Sequence, residues 1–157
     1  MKPAIIIVII LSALLPSGCQ NKKNLSQNQE KLTGLLKLLK VKPADNLAVI
    51  IAPVSGCSGC LQRIMLFARE NADNRQWLFI FSGYGRKEIV LKTGSTLAFS
   101  PQVVVDDRAS ALKRGLVETF PVLFILKQGE LVTHKELNAT NIEGILQSLT
   151  GQHGIGR

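Results

Sequence analysis

The sequence predicts an α/β sandwich, in which a central sheet of four to five strands is flanked by helices. Two observations carry this prediction. Apolar runs of strand length recur along the chain, such as LAVIIA at 47–52 and WLFIF at 77–81, and such runs are typical of strands buried on both faces of a sheet. Segments with helical spacing alternate with these runs, and this alternation is the pattern of an α/β architecture.

The first half of the domain is expected to contain two strands and a helix between them. After the strand at 47–52, apolar residues recur at helical spacing, namely Leu61, Ile64, Met65, Ala68 and Ala72. The strand at 77–81 is closed by SGYG, whose glycines indicate a turn.

The second half predicts three more strands. QVVVD at 102–106 is followed by a short helical stretch at 109–115, and the strands at 120–126 and 129–137 are joined by a tight turn at Gln128 and Gly129. The last helix is expected to open at Thr140, with Glu143 completing a capping box, and to end at Gly151; a frayed tail, 152–157, follows.

Composition suits one globular domain and argues against nucleic-acid binding. The chain has 157 residues, of which 46% are hydrophobic, enough for a core. Its formal net charge is +8, but the basic residues are dispersed and aromatics make up only 5%, unlike the basic, aromatic patches of nucleic-acid binders.

Residues 1–18 read as an export signal. One basic residue, Lys2, precedes an apolar stretch that is shorter than the ~20 residues of a membrane-spanning helix and ends in small residues before Cys19. The sequence LPSGC resembles the lipobox of bacterial lipoproteins, although Pro16 departs from the usual aliphatic residue. The resemblance implies that Cys19 is lipidated and anchors the protein to a membrane, facing the periplasm or the cell exterior. The alternative is an uncleaved signal anchor with an idle Cys19.

Residues 19–30 are polar and predict a flexible, lipidated tether, and 31–46 predict an amphipathic helix. Ser26 and Gln29 have capping-box spacing, and four leucines fall on one face of this helix, at positions 32, 35, 36 and 39. The lysines opposite them could face anionic headgroups. The favoured interpretation is a helix packed on the domain with a solvated lysine face.

The remaining cysteines, Cys57 and Cys60, are the candidate catalytic residues. They follow a buried strand and begin a helix, where free amide N–H groups and the helix dipole favour a thiolate. Two intervening residues allow a small disulfide ring, so Cys57 is expected to attack and Cys60 to resolve. An exported protein is expected to oxidise or cycle such a pair. No metal site or cofactor is expected, since only His134 and His153 could complete a zinc site.

Two segments resemble the thioredoxin superfamily, in particular its membrane-anchored extracytoplasmic members: LAVIIAPVSGCSGC and VVVDDRASALKRGLVETFPVLFILKQGELV. The resemblance covers residues 47 to about 149 and implies a thioredoxin-like sandwich with a mixed sheet, as a domain at 47–151. It also implies that Pro121 is a cis-proline facing the cysteines and that Phe120 and Pro121 bind substrate. The expected activity is thiol-disulfide exchange with protein substrates, supported by an unidentified membrane or soluble electron donor.

Three residues depart from the pattern of that family. Gly56 stands where tryptophan is common, Ile51 where many members have a buried acid, and Phe120 where a smaller residue usually precedes the proline. No histidine lies between the cysteines, where it would lower the pKa of the thiol and make the disulfide a stronger oxidant. The reduction potential is therefore expected to be that of a reductant or an isomerase. The first alternative is a non-catalytic lipoprotein with a structural disulfide or a partner-binding groove. A copper-binding protein is the less favoured second alternative.

Overall fold

The computed structural model describes residues 18–153, and the side-chain surroundings of 23–150. Residues 1–17 of the expected export signal, residues 154–157 of the tail and the side chain of Cys19 lie outside the described part of the chain. The helices are α1 (Gly18–Leu38), α2 (Ser58–Glu70), α3 (Arg86–Thr93), α4 (Ser95–Ala98), α5 (Ser110–Lys113) and α6 (Ile142–His153). The strands are β1 (Leu47–Pro53), β2 (Trp77–Ser82), β3 (Val103–Asp106), β4 (Val122–Lys127) and β5 (Glu130–Glu136).

The strands form one mixed sheet in the order β3-β2-β1-β4-β5. β1, β2 and β3 are parallel, whereas β4 runs antiparallel to both β1 and β5. Every residue of β1 and β2 is buried, which explains their unbroken apolar sequences. The predicted tight turn between β4 and β5 is confirmed, since Gln128 and Gly129 both have positive φ, as the usual two-residue hairpin requires.

The sheet separates two apolar layers. One layer packs against α2, α3, α4 and α6 and contains Phe67, Trp77 and Phe79, whose rings stack and meet edge to face. The other layer packs against α1 and α5 and contains Leu35 and Phe124. Helices therefore cover both faces of the sheet, as the sequence predicts.

Helix α1 corrects the expected tether. It begins at Gly18, so all of 19–30 is helical rather than a flexible coil, and Ser26 lies inside the helix instead of capping it. Leu25 packs against the core layer, and the Gln29 side chain accepts a hydrogen bond from the Leu131 N–H at 3.1 Å. These contacts with the domain stabilise helix where composition alone predicted coil.

The leucine face of α1 packs largely on the domain. Leu32, Leu35 and Leu36 are all buried in the core layer, so this part of the apolar face packs on the domain, as favoured. Helix α1 ends at Leu38, short of the predicted limit at residue 46. Among the residues that the structure describes, no helix is both long enough and apolar enough to cross a membrane.

Three other boundaries differ from the prediction. Helix α6 ends at His153, so residues 152 and 153 of the expected frayed tail are helical and the predicted end at Gly151 is wrong. The segment at 86–98, for which no element was predicted, forms α3 and α4, separated by Gly94 at a φ of 84°. Helix α6 begins at Ile142, and Asn138 and Asn141 organise its start: the Asn138 N–H donates to the Asn141 side chain, and the Asn138 carbonyl accepts from Ile142. The Asn138 side chain also accepts from the Thr140 hydroxyl, so the expected capping box led by Thr140 is wrong.

Candidate active site

Cys57 and Cys60 lie after the loop that joins β1 to α2, at the carboxyl edge of the sheet. Cys57 is the N-cap of α2, Cys60 stands in its first turn, and the two form a disulfide with their Cα atoms 5.2 Å apart. The three parallel strands all end at this edge, which is where ligand and catalytic sites of α/β sheets commonly lie.

The two sulfurs have unequal surroundings. Cys57 is half-buried, whereas Cys60 is only 2% exposed and belongs to the apolar layer beneath α2. The Cys60 N–H donates to Cys57 Sγ at 3.2 Å. A sulfur that becomes an anion at Cys57 would therefore face a backbone donor and the positive end of the helix dipole, both of which favour a thiolate.

A strand-entry segment, Thr119 to Pro121, lies against the cysteines. The Cys57 N–H donates to the Thr119 carbonyl at 2.9 Å. Phe120 packs on the same apolar layer as Cys57, and Pro121 is buried, with its carbonyl accepting from Leu137 at 2.7 Å. The predicted proximity of this segment to the cysteines is therefore observed.

The conformation expected for Pro121 is wrong. The described part of the chain contains no cis peptide bond, so the Phe120–Pro121 bond is trans. Trans is the lower-energy form of an X–Pro bond, and the hydrogen bonds of Thr119 and Pro121 hold the segment on either side of it.

Close packing explains the glycine before Cys57. A Cβ atom added to Gly56 would overlap the Thr119 carbonyl oxygen and come within 2.9 Å of the Pro53 ring. The backbone of the strand-entry segment thus occupies the space beside Gly56 into which a side chain would project. This packing also places Thr119 so close to Cys57 that their hydrogen bond can form.

Two charged residues near this edge escaped sequence reasoning. Lys92 of α3 donates to the Val54 carbonyl at 3.1 Å, on the loop that leads to Cys57, and to Glu88 at 2.8 Å. The position of Lys92 beside the loop that leads to Cys57 could not be inferred from the sequence, because no element was predicted at 86–98. Ile51, at the position of the missing acid, is fully buried in the opposite apolar layer.

The second residue is Asp106, a buried carboxylate at the end of β3. It accepts hydrogen bonds from the Ser82 hydroxyl at 2.7 Å and from the backbone N–H groups of Ser110 and Ala111 at 2.9 and 2.8 Å. Burial alone would raise the pKa of Asp106, but these bonds outweigh it and lower the pKa below the ordinary value of 3.8. An acid that ends an apolar strand and precedes a helix start was the available signal.

His134 lies on β5, the edge strand separated from β1 by β4, and its ring centroid is 5.3 Å from that of Phe124. Burial lowers the pKa of His134, and the charge of Glu136 opposes this. Among the described residues, no three His, Cys, Asp or Glu side chains converge as a metal site.

The strand order, the antiparallel β4–β5 hairpin and the Cys-x-x-C pair after β1 define a thioredoxin-like α/β fold. No family model and no curated protein sequence matches the chain. A crystal structure from Chlorobium tepidum, provisionally described as a thiol:disulfide interchange protein DsbE, is similar at a TM-score of 0.46 and 9% identity, over 69% of this chain and 80% of that one. The fold assignment rests on the chain's own topology and cysteine placement.

Proposed function

We propose that this protein is a thiol-disulfide oxidoreductase that exchanges dithiol and disulfide with protein substrates outside the cytoplasm. The observation that carries the proposal is the inequality of the two sulfurs. Cys57 is accessible at a helix start and receives a backbone hydrogen bond, whereas Cys60 is buried behind it. A dithiol catalyst needs one thiol that can meet a substrate and a second that meets only the first.

The exchange follows from this arrangement. In the reduced protein, the Cys57 thiolate attacks one sulfur of a client disulfide, and the other client sulfur leaves as a thiolate. Cys60 then passes its proton, directly or through solvent, to the client thiolate that has left, and the Cys60 thiolate attacks Cys57 Sγ. The second client sulfur leaves, the Cys57–Cys60 disulfide forms, and two electrons have passed to the client.

Phe120 and Pro121 are proposed to contact the client. Phe120 is partly exposed and packs on the same layer as Cys57, and the segment follows Thr119, whose carbonyl meets the Cys57 N–H. An extended client chain arriving at Cys57 would pass this segment.

Trapping of mixed disulfides tests the assignment of roles. We expect Cys60→Ser to accumulate mixed disulfides with protein clients, because the resolving thiol is absent. Cys57→Ser should trap none, because its remaining thiol is buried. Equal trapping by both variants would overturn the assignment.

A non-catalytic disulfide is the second candidate, and two features favour it. The Cys57 N–H is already bonded to Thr119, and Ile51 supplies no proton acceptor for Cys60. The reduction potential of the pair separates the candidates. A value between about −270 and −120 mV is expected of a catalyst, and one below about −300 mV of a structural bridge.

We further propose that the protein is a lipoprotein of the bacterial cell envelope, anchored through Cys19. The lipobox-like LPSGC motif supports this proposal. Cys19→Ser should move the mature protein from the membrane fraction to the soluble fraction or leave the precursor unprocessed. An anchored variant with the mass of the processed wild type would contradict lipidation at Cys19.

A further inference from the structure

A surface of basic and aromatic side chains continues from the cysteine pair along the carboxyl edge of the sheet. Tyr84 follows β2 and Arg108 follows β3, and their backbones form an isolated bridge. Because β1, β2 and β3 are parallel neighbours spaced roughly 5 Å apart, the segments after them lie side by side. This surface therefore begins one strand away from the strand that carries Cys57.

Direct contacts join the loop after β2 to the loop that leads to Cys57. The Val54 N–H donates to the Ser82 carbonyl at 2.9 Å. Gly83 lies against the Val54 side chain so closely that an added Cβ would clash with it. The loop that carries Tyr84 therefore packs directly against the loop that leads to Cys57.

Two exposed aromatic rings lie beside cations of the segments that follow β2 and β3. Tyr84 stands in the first of these segments, and Phe99, at the end of α4, meets it through Arg86. Tyr84 is 66% and Phe99 67% exposed. The Arg86 guanidinium lies 5.6 Å from the centre of the Phe99 ring, and the Lys113 Nζ lies 5.7 Å from that of Tyr84. The basic-aromatic surface is defined by these side chains and one more cation: Tyr84, Arg86, Phe99, Arg108 and Lys113.

The charges of this surface are unbalanced. Between residues 84 and 118, six lysines and arginines stand against four carboxylates. Glu88 pairs with Lys92, Asp106 is buried and hydrogen-bonded, Asp107 is partly buried, and Glu118 is exposed. Within the described residues, the ion pairs are Arg63–Glu143 and Lys92–Glu88. The cations of the basic-aromatic surface therefore keep their charge available to a partner.

We propose that the basic-aromatic surface docks an acidic segment of a client protein and so selects clients for Cys57. Carboxylates of the segment meet Arg86, Arg108 and Lys113, while its apolar side chains lie on Tyr84 and Phe99. Electrostatic complementarity of this kind raises association rates and selects partners. The inference rests on the proposed thiol-disulfide exchange and adds the chemistry of the client.

Three peptide disulfides of one sequence test the proposal, with glutamates, glutamines or lysines flanking the cysteine. We expect kcat/KM of the wild type for the glutamate peptide to exceed that for the glutamine peptide about tenfold at low salt. The preference should shrink in 0.5 M salt, because exposed charges are screened.

Charge reversal identifies the surface responsible. The double variant Arg86→Glu with Lys113→Glu should lose the preference for the glutamate peptide and favour the lysine peptide. The matched control, Lys127→Glu with Lys135→Glu, makes the same change of charge at exposed positions on β4 and β5 and should keep it. All three proteins should reduce a small neutral disulfide at equal rates.

Equal rates for the three peptides, or a preference that survives in the double variant, would overturn the docking proposal alone. If even the small disulfide is not reduced, the proposed function fails, and fluorescence anisotropy with cysteine-free versions of the peptides decides the docking. Tighter binding of the glutamate peptide by the wild type, lost in the double variant, then supports the docking proposal. Equal binding of the three peptides by the wild type refutes it. Binding to anionic vesicles in place of the glutamate peptide, lost in the double variant, would assign the surface to a membrane.

Discussion

At two strand ends on the same edge of the sheet, a side chain accepts hydrogen bonds from backbone N–H groups at the start of a helix, but the two side chains serve different purposes. After β1, Cys57 caps α2 with a sulfur that accepts the Cys60 N–H. After β3, Asp106 accepts the N–H groups of Ser110 and Ala111 at the start of α5. Both side chains place an anion, actual or potential, against unpaired backbone donors.

The Cys57 and Asp106 side chains differ in their exposure and in the number of hydrogen bonds that they accept. Cys57 is half-buried, and its sulfur receives one weak backbone bond, so it can leave that bond and react. Asp106 is 1% exposed and receives three strong bonds, including that of Ser82, which holds its charge in place. A capping anion is therefore structural when it is buried and saturated, and available for chemistry when it is neither.

Removal of the Asp106 carboxylate should produce the largest change in stability. Asp106→Ala leaves Ser82, Ser110 and Ala111 without an acceptor in a buried place, and a buried group left unsatisfied costs ~1–3 kcal/mol. We expect a loss of about 3 kcal/mol in the free energy of unfolding of the oxidised protein, measured by urea denaturation.

Two comparisons keep this prediction specific. Asp107→Ala, at the partly buried neighbour, should change the free energy of unfolding by less than about 0.5 kcal/mol. The reduction potential of the cysteine pair should stay as in the wild type. A large shift in that potential would mean that Asp106 belongs to the chemistry of Cys57, and the distinction between the two strand ends would be lost.

A smaller effect is expected at the β1 end from crowding beside Cys57. Gly56→Ala introduces a Cβ into the space of the Thr119 carbonyl, and overpacking of this kind costs about 1–3 kcal/mol. We expect a loss of about 2 kcal/mol, smaller than that of Asp106→Ala. Displacement of Thr119 should also free the Cys57 N–H and change the rate at which Cys57 of the reduced protein is alkylated.

Gly59→Ala is the matched control, because a Cβ there meets no atom within 4 Å. Gly59 lies in α2, where alanine is favoured over glycine by ~0.5–1 kcal/mol. This variant should be as stable as the wild type or more so, with unchanged alkylation. Equal losses in both variants would show that Thr119 does not confine the site.

Local sequence patterns were sufficient for the sheet and for the cysteine pair. Apolar runs predicted the first four strands, and the turn at Gln128 and Gly129 indicated the fifth as the partner of the fourth. The position of Cys57 and Cys60 after the first run predicted their place at a helix start. These features depend on periodicity and on neighbours along the chain, which a sequence displays directly.

Features that depend on distant contacts could not be read in the same way. Polar residues before Lys31 suggested coil, yet Leu25 and Gln29 bind the domain and extend α1 to Gly18. The hydrogen bond from the Cys57 N–H to the Thr119 carbonyl joins segments about sixty residues apart. The trans bond before Pro121 lies in the second of these segments, which packs against the first. Asp106 was visible as a residue, but its partner Ser82 comes from another strand.

The acid sensitivity of the protein provides the smallest and most specific test of the Asp106 end. Because the pKa of Asp106 is lowered in the folded protein from its ordinary value of 3.8, its charge contributes stability that is present above that value and lost as pH falls through the folded pKa. Asp106→Asn removes this contribution and retains a side chain of similar size. The wild type should therefore be the more stable at pH 7, and the difference in free energy of unfolding between the two oxidised proteins should narrow below about pH 4. Urea denaturation at a series of pH values measures that difference, and the other carboxylates cancel in it. A difference that stays constant down to pH 2 would show that the Asp106 charge adds nothing, and that its hydrogen bonds alone distinguish it from Cys57.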